Sequence, residues 1–411
     1  MAMKVWIKYL IGLVFGVLAA FILPTENAAF ANAIAFLTEL FIRVGRYIVV
    51  PLIFTSTIVA VSKLRTSRLL WKTSGLTALI IVLSSLMMTL IGLISILLVK
   101  LPRIPITVDV ATEVFSLDVK GMILSLFPYS GFEALSDGSF LLVCFVFAFI
   151  IGWESASEET AFKPVFVISD SFSNLFYNVA NFFTEIMSVL GIAIVCYWTI
   201  DFRSVIATGI FTPMIIMFFV DFVIIAGIIY PLILHFVCHD PHPYKVLYAS
   251  IAPLILAFFG GDSNLVIPLA NRHLCDSLGI RRRCRSFTYP LFTIFARGGS
   301  ALVTTVSFIL IWRSYSSLSI SISDVMWIFG LSFGLSFLLG GIPSGAAFVL
   351  LTIICNKYAR GFETSVQLLK PATMIICSFA ALYDTLTAMV GSYIVAVKTK
   401  MIEHHSITHF I

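Results

Sequence analysis

Apolar residues in this chain come in runs of bilayer length with few polar interruptions. The runs lie near 9–23, 40–62, 74–99, 139–152, 164–200 and 206–237. About 20 apolar residues in a helix, at ~1.5 Å per residue, cross ~30 Å of hydrocarbon. After 237 the pattern changes. Segments 246–259 and 264–271 are each too short to cross, and Gly260-Gly261-Asp262-Ser263-Asn264 stands between them. Further on, Gly340-Gly341-Ile342-Pro343-Ser344-Gly345 divides a second apolar stretch, 327–356. Each broken stretch is followed by a longer run, at 287–312 and at 368–397. Helix-length runs throughout predict an all-α polytopic membrane protein with two interrupted segments in corresponding positions.

Such paired breaks are the sequence mark of a transporter's binding site. Unwound backbone at membrane depth needs protein or cavity water around it, because lipid cannot satisfy its N–H and C=O groups. Each tip therefore implies a cavity. Ser263 and Ser344 stand where the second half-helices begin, and a helix N-terminus offers free N–H groups and partial positive charge to a carboxylate. The simpler alternative, that Gly-Gly merely breaks a packed helix, accounts for one break more easily than for two in register.

Composition agrees with the runs. Of 411 residues, 60% are hydrophobic and only 11% charged, against about 25% charged in soluble domains; the mean hydropathy is +1.05. Soluble enzymes and nucleic-acid partners are thereby excluded. The net charge of +5 reads as orientation, since Lys and Arg collect on cytoplasmic loops. With both termini inside, Lys63, Arg65, Arg68, Lys72, Arg281, Arg282, Arg283, Arg285, Lys398 and Lys400 fall on the cytoplasmic side of a cell membrane. Lys357, Arg360 and Lys370 are the exception. Ala31-Asn32-Ala33 resembles a signal-peptidase site, but the spans that follow at once favour retention of the first run as a signal-anchor helix. The seven cysteines form no CxxC pair and read as packing residues. His235, His239 and His242 beside Asp240 lack the tight geometry a metal site requires, so no metal is expected.

Four stretches resemble a known family, the dicarboxylate/amino acid:cation symporters that include glutamate transporter homologues. Leu40–Ser56 (LFIRVGRYIVVPLIFTS) is similar to the family's second span, LFxRLLKMxVxPLVFxS. Ala257–Pro268 and Ser286–Leu291 resemble AFxTxSSxxTLP and SFTLPLG. Gly340–Ala347 resembles AGVPGAGA, and Asp384–Ser392 lies where the last span carries RTxxNVxGD. The resemblance implies eight transmembrane spans plus two re-entrant hairpins, at 246–271 and 327–356, usually in a homotrimer. Residues 1–70 and 102–203 would form the scaffold. Residues 71–101 and 204–411 would form a transport domain that slides as an elevator, with Gly340–Ala346 as its gate.

The departures from the family fall on its functional motifs. Its cation-binding Asn-Met-Asp-Gly-Thr is here Ala296-Arg297-Gly298-Gly299-Ser300, so an arginine replaces sodium's main anchor. The substrate-binding arginine of the last span aligns with Asp384, the following threonine is Thr385, the asparagine becomes Ala388, and the cation-ligating aspartate becomes Ser392. The amine-binding aspartate falls at Ala381. Ser84 and Ser85 would stand for the third span's cation ligands, yet hydroxyls alone hold a hard cation poorly. Carried over position by position, the substrate site comprises Asp262, Ser263, Asn264, Arg297, Ser300, Gly341, Ile342, Pro343, Ser344, Gly345, Asp384, Thr385 and Ala388. Ser84, Ser85, Arg297 and Ser392 would hold the coupling ion or its replacement.

Asp262, Arg297 and Asp384 each cost roughly 2.5–3.5 kcal/mol at the bilayer centre unless paired or hydrated. They should therefore face one another, a substrate or water. The expectation is a small amino-acid-like substrate, neutral or cationic, whose carboxylate meets the hairpin N-termini and whose amine meets Asp384. The alternative is a structural Arg297–Asp384 salt bridge. Sodium coupling is expected to be altered or absent, and a proton on Asp262 or Asp384 could replace it. Asp221 and Glu185 read as packing or interfacial residues, and the Arg281–Arg285 run as a topology determinant. No cofactor beyond H⁺ or Na⁺ is implied. A serine hydrolase using Ser263 or Ser344 lacks a histidine base nearby. A sodium-coupled dicarboxylate symporter, and a channel or scaffold that lost coupled transport, remain as alternatives.

Overall fold

The computed structural model describes residues 4–23, 28–105, 130–136, 141–157, 159–315, 320–341, 345–358, 362, 365–403 and 410. Among these the chain is helical, with one isolated bridge, Ile280 to Ile402. Eight helical segments are long and apolar enough to cross a membrane. Seven correspond to expected spans. The eighth does not: the expected span near 139–152 is the 14-residue helix α5 described below, about 21 Å long, too short to cross unaided. Its place by length is taken by Ile322–Gly340, expected as half of a hairpin.

Two groups of helices follow from the packing. In the first, α1 (Val5–Ile22), α2 (Ala28–Tyr47) and α3 (Val49–Thr66) lie along α6 (Glu159–Ala207), and α5 (Leu141–Glu154) lies on α3. Small residues set these approaches: a Cβ on Gly12 would come within 2.8 Å of Ser188 O, and one on Gly152 within 2.7 Å of Ile58 O, the close backbone packing expected between membrane helices. The break between α2 and α3 at Ile48 has a local cause. Pro51 has no N–H, and its ring clashes with the carbonyl four residues back, at Tyr47.

The second group is built on two buried helical segments, one of them interrupted. It contains α4 (Leu70–Leu98), α7 (Thr212–Ile224), α8 (Tyr230–Cys238), α9 (Tyr244–Gly260), α10 (Ile267–Asp276), α11 (Arg282–Phe295), α12 (Gly298–Tyr315), α13 (Ile322–Ser336), α14 (Ala346–Tyr358) and α15 (Thr373–Lys398). The most apolar 18-residue stretches within 282–315 and 365–398 are each 94% buried, against 28% for 5–22 and 22% for the stretch within 322–340. So α11–α12 and α15 form the centre, with α4, α9, α13 and α14 around them. A five-residue π segment, Ile225–Ile229, joins α7 to α8 just before Pro231, where the missing N–H loosens the helical ladder. The groups meet where α11 lies on α3, α9 on α1 and α10 on α6.

Both expected interruptions are present. α9 ends at Gly260 with Gly261 in the left-handed conformation (φ 59°) that glycine adopts without strain. The second chain break runs from α13 through a 3₁₀ segment, Phe337–Gly341, to Gly345 and α14; Ile342, Pro343 and Ser344 lie outside the described residues.

Candidate functional site

A third interruption, between α11 and α12, organises the site. Phe295 ends one helix and Gly298 begins the next, with Ala296 and Arg297 between them. Gly298 and Gly299 let neighbouring helices come unusually close: a Cβ on Gly298 would lie 2.7 Å from Ser85 Cα of α4, and one on Gly299 2.2 Å from Tyr383 Cβ of α15. No side chain fits at either position.

That contact brings Asp384 onto the N-terminus of α12. Its Oδ1 accepts the backbone N–H of Gly299 (2.8 Å) and Ser300 (3.2 Å), and its Oδ2 accepts the Ser300 hydroxyl (2.7 Å). Asp384 is thus a helix cap supplied by another helix, with its negative charge at the positive end of the dipole. Arg297, whose own carbonyl accepts the first bond of α12 from Ala301 (3.0 Å), would otherwise put like charge at that end. Its Nη1 lies 3.8 Å from Asp384 Oδ2 and donates to Ser263 Oγ at 2.9 Å. Both charged side chains are almost wholly buried. Arg297 Nε and Nη2 are buried with no hydrogen-bond partner among the described residues.

Arg297 and Asp384 border a small cavity of about 10 Å³, between the α9–α10 tip and the start of α14. Asp262, Ser263, Ser300 and Gly345 border it too, and Ala346, Ala347, Cys377, Ala380 and Ala381 supply its small apolar walls. Several expected site residues therefore meet at one place.

Others have different surroundings. Asp262 borders the cavity, but its carboxylate faces α2: Arg46 donates to Oδ2 through Nε (3.0 Å) and Nη2 (2.6 Å), while Oδ1 accepts the Asn264 N–H at 2.9 Å. Arg46 was not anticipated as a partner, although an arginine within an apolar run was the available signal. Asn264 Oδ1, Thr385 Oγ1, Ser85 Oγ and Ser392 Oγ are buried without hydrogen-bond partners among the described residues, and Ala388 is buried on α15. Ser84 donates to Ile81 O (3.0 Å) and borders a separate apolar groove between α4, α8 and α15. Gly341 ends the 3₁₀ segment. Away from the cavity, Asp221 accepts from Ser95 (2.9 Å), and Glu185 is shared by Lys8 and Arg272. Ser263 has a guanidinium beside it and not a base, an arrangement unsuited to a nucleophile.

The sequence profile of the sodium:dicarboxylate symporter family matches residues 4–398, nearly the whole chain. The chain belongs to that family. As a family member it is grouped with transporters, not enzymes, and its apolar helices fit a multi-pass membrane protein. A C4-dicarboxylate transport protein of Dechloromonas aromatica (strain RCB) is 24% identical over 201 residues, covering 45% of this chain and 42% of that relative. The aligned part is thus less than half of the relative's length.

Proposed function

We propose that the chain is a secondary transporter that carries a small amino-acid-like solute, neutral or cationic rather than acidic, across a cell membrane without a sodium ion at the family's central site. The observation behind this reading is the buried Arg297–Asp384 pair, in which a guanidinium occupies the sequence position of the family's sodium anchor while the carboxylate opposite is engaged by α12. A fixed internal cation there leaves little room, electrostatically, for a second one.

In this reading α9–α10 and α13–α14 are re-entrant hairpins whose tips close the cavity. Residues 71–101 and 204–411 slide as an elevator against a scaffold of 1–70 and 102–203, in a homotrimer with cytoplasmic termini. Asp262 and Asp384 are the carboxylates available to a coupling proton. Radiolabelled uptake into proteoliposomes tests the reading: uptake of a neutral amino acid should persist when sodium is replaced by choline and respond to an imposed pH gradient. A strict sodium requirement would overturn it. The name of the Dechloromonas relative favours a second reading, sodium-coupled C4-dicarboxylate symport, and the same assay with succinate decides between them. Passive flux with no coupling to either gradient would point instead to a channel-like member.

A further inference from the structure

We infer that Arg297 is a receptor for one carboxylate, so that the cavity selects compact zwitterions with a single carboxylate over dicarboxylates. The inference rests on the transport reading above and names its substrate class. The geometry starts from which edge of the guanidinium is free. Nη1 is engaged by Ser263 Oγ and lies near Asp384 Oδ2, whereas Nε and Nη2, the edge that a carboxylate grips side-on, have no hydrogen-bond partner among the described residues although Arg297 is 97% buried. A planar guanidinium edge matches the two oxygens of a carboxylate. The same protein shows such an edge engaged by an acid: Arg46 Nε and Nη2 both donate to one oxygen of Asp262, Oδ2, at 3.0 and 2.6 Å. Arg297 presents the equivalent edge without its acid.

Charge limits the ligand to one carboxylate. The other ionisable side chains bordering the cavity are Asp262 and Asp384, so a second carboxylate would approach like charge in a low-dielectric site. An ammonium group in the same place would be attracted. Asp384 acts there through its field, because its oxygens already accept three hydrogen bonds from α12. Size adds a second limit. The enclosed space is only about 10 Å³, on the order of one water, and the walls are alanine, glycine and cysteine, so the site must part to admit a ligand and the shortest side chains need the least opening. The start of α14 at Ala346 borders the same space and adds partial positive charge on the carboxylate's side.

The test is binding to the full-length protein purified in detergent, read by thermal shift and calorimetry with L-alanine, L-alaninamide, propionate, L-aspartate and succinate. L-Alanine should bind. L-Alaninamide, which lacks the carboxylate, should bind about 10–100-fold more weakly, the loss expected for a charge-assisted hydrogen-bonded contact. Propionate should bind more weakly than L-alanine but compete with it, and L-aspartate and succinate should be the weakest acids. Arg297→Lys keeps the charge, loses the edge, and should weaken L-alanine by a similar factor. The wild-type ligand series decides the matter even if that variant fails to fold. Equal binding of L-alaninamide and L-alanine, tighter binding of succinate, or no binding by any of these probes at millimolar concentration would each overturn the inference. Binding as expected without uptake in proteoliposomes would sink the transport reading and leave the receptor standing. Sodium-independent uptake of L-alanine alongside equal binding of L-alaninamide would do the reverse, and uptake that prefers succinate would overturn both.

Discussion

The two interrupted pairs of helices differ in what holds them. The first, α9–α10, is tied to the α1–α6 group by ion pairs: Asp262 to Arg46 of α2 at its tip, and Arg272 to Glu185 of α6 at 2.7 Å, with Lys8 of α1 on the same carboxylate. At its foot, Asp240 accepts from Lys245 (2.7 Å) and from Tyr393 of α15. The second, α13–α14, meets its own group, among the described residues, through contacts that include neutral ones. Thr304 of α12 donates to Ala347 O (3.0 Å), Trp312 to Tyr358 (3.1 Å), and Trp327 packs edge-on against Tyr358. The most apolar 18-residue stretch within 322–340 is only 22% buried. Breaking an ion pair inside a protein exposes an uncompensated charge, whereas separating neutral contacts costs far less. In the proposed elevator the first hairpin's ion pairs cross to the scaffold and must part as the domain slides, whereas the second's neutral contacts within its own group suit a gate that opens alone.

The strongest challenge to that comparison removes the pair between the two tips. Asp384→Ala leaves Arg297 buried without counter-charge and uncaps α12, so it should destabilise by roughly 3–5 kcal/mol. An unchanged melting temperature in micelles would mean that the pair holds nothing. Next comes the tip of the first hairpin. Arg46→Ala should cost toward the lower end of that range, about 3 kcal/mol, because Arg46 is 35% exposed and water replaces part of its contact with Asp262. Adding Asp262→Asn should restore much of the loss. If the double variant is no better than the single one, the ion pair is not what anchors this tip.

Gly299→Ala should cost about 1–3 kcal/mol by overpacking, since its Cβ would lie 2.2 Å from Tyr383 Cβ and 2.8 Å from Asp384 Oδ1. Thr304→Val probes the second hairpin and should cost only ~0.5–1.5 kcal/mol, while speeding amide exchange at 346–358 and leaving 244–276 unchanged. Equal acceleration in both hairpins would erase the distinction between them. The smallest effect lies at the foot of the first hairpin. Burial alone would raise the Asp240 carboxyl, but hydrogen bonds from Lys245, Tyr393 and the His242 backbone more than offset it and hold it below the usual carboxylate range. A lowered folded-state value contributes stability above the unfolded pKa of about 3.9 and loses it as pH falls through the folded value. The melting difference between wild type and Asp240→Asn should thus be steady near neutral pH and close below about pH 4.

How much of this was legible in the residues varied by position. The glycine clusters at 260–261 and 340–341 marked both interruptions, because a break inside an apolar run has few other causes. The pairing of Arg297 with Asp384 was anticipated from the expense of burying either alone. The partner of Asp262 was missed, since 216 positions separate it from Arg46 and nothing local joins them. Ser84 and Ser85 were indistinguishable as letters. Only helix rotation turns Ser84 toward an apolar groove and sets Ser85 against Gly298. The run at 139–152 was read as a span on composition, yet the helix formed there is 14 residues long.

What the amino-acid order determined alone was the solvent and the class of structure. With 60% hydrophobic residues in helix-length runs, backbone groups can be satisfied in lipid only along helices, and glycine-rich breaks among them must be sheltered by protein. The tertiary structure decided what each charged residue does. Whether Asp384 is a ligand contact or a cap for α12, and which edge of Arg297 stays free, depends on how closely α15 approaches Gly299. That distance arises from the packing of helices remote in the chain, which no local pattern encodes.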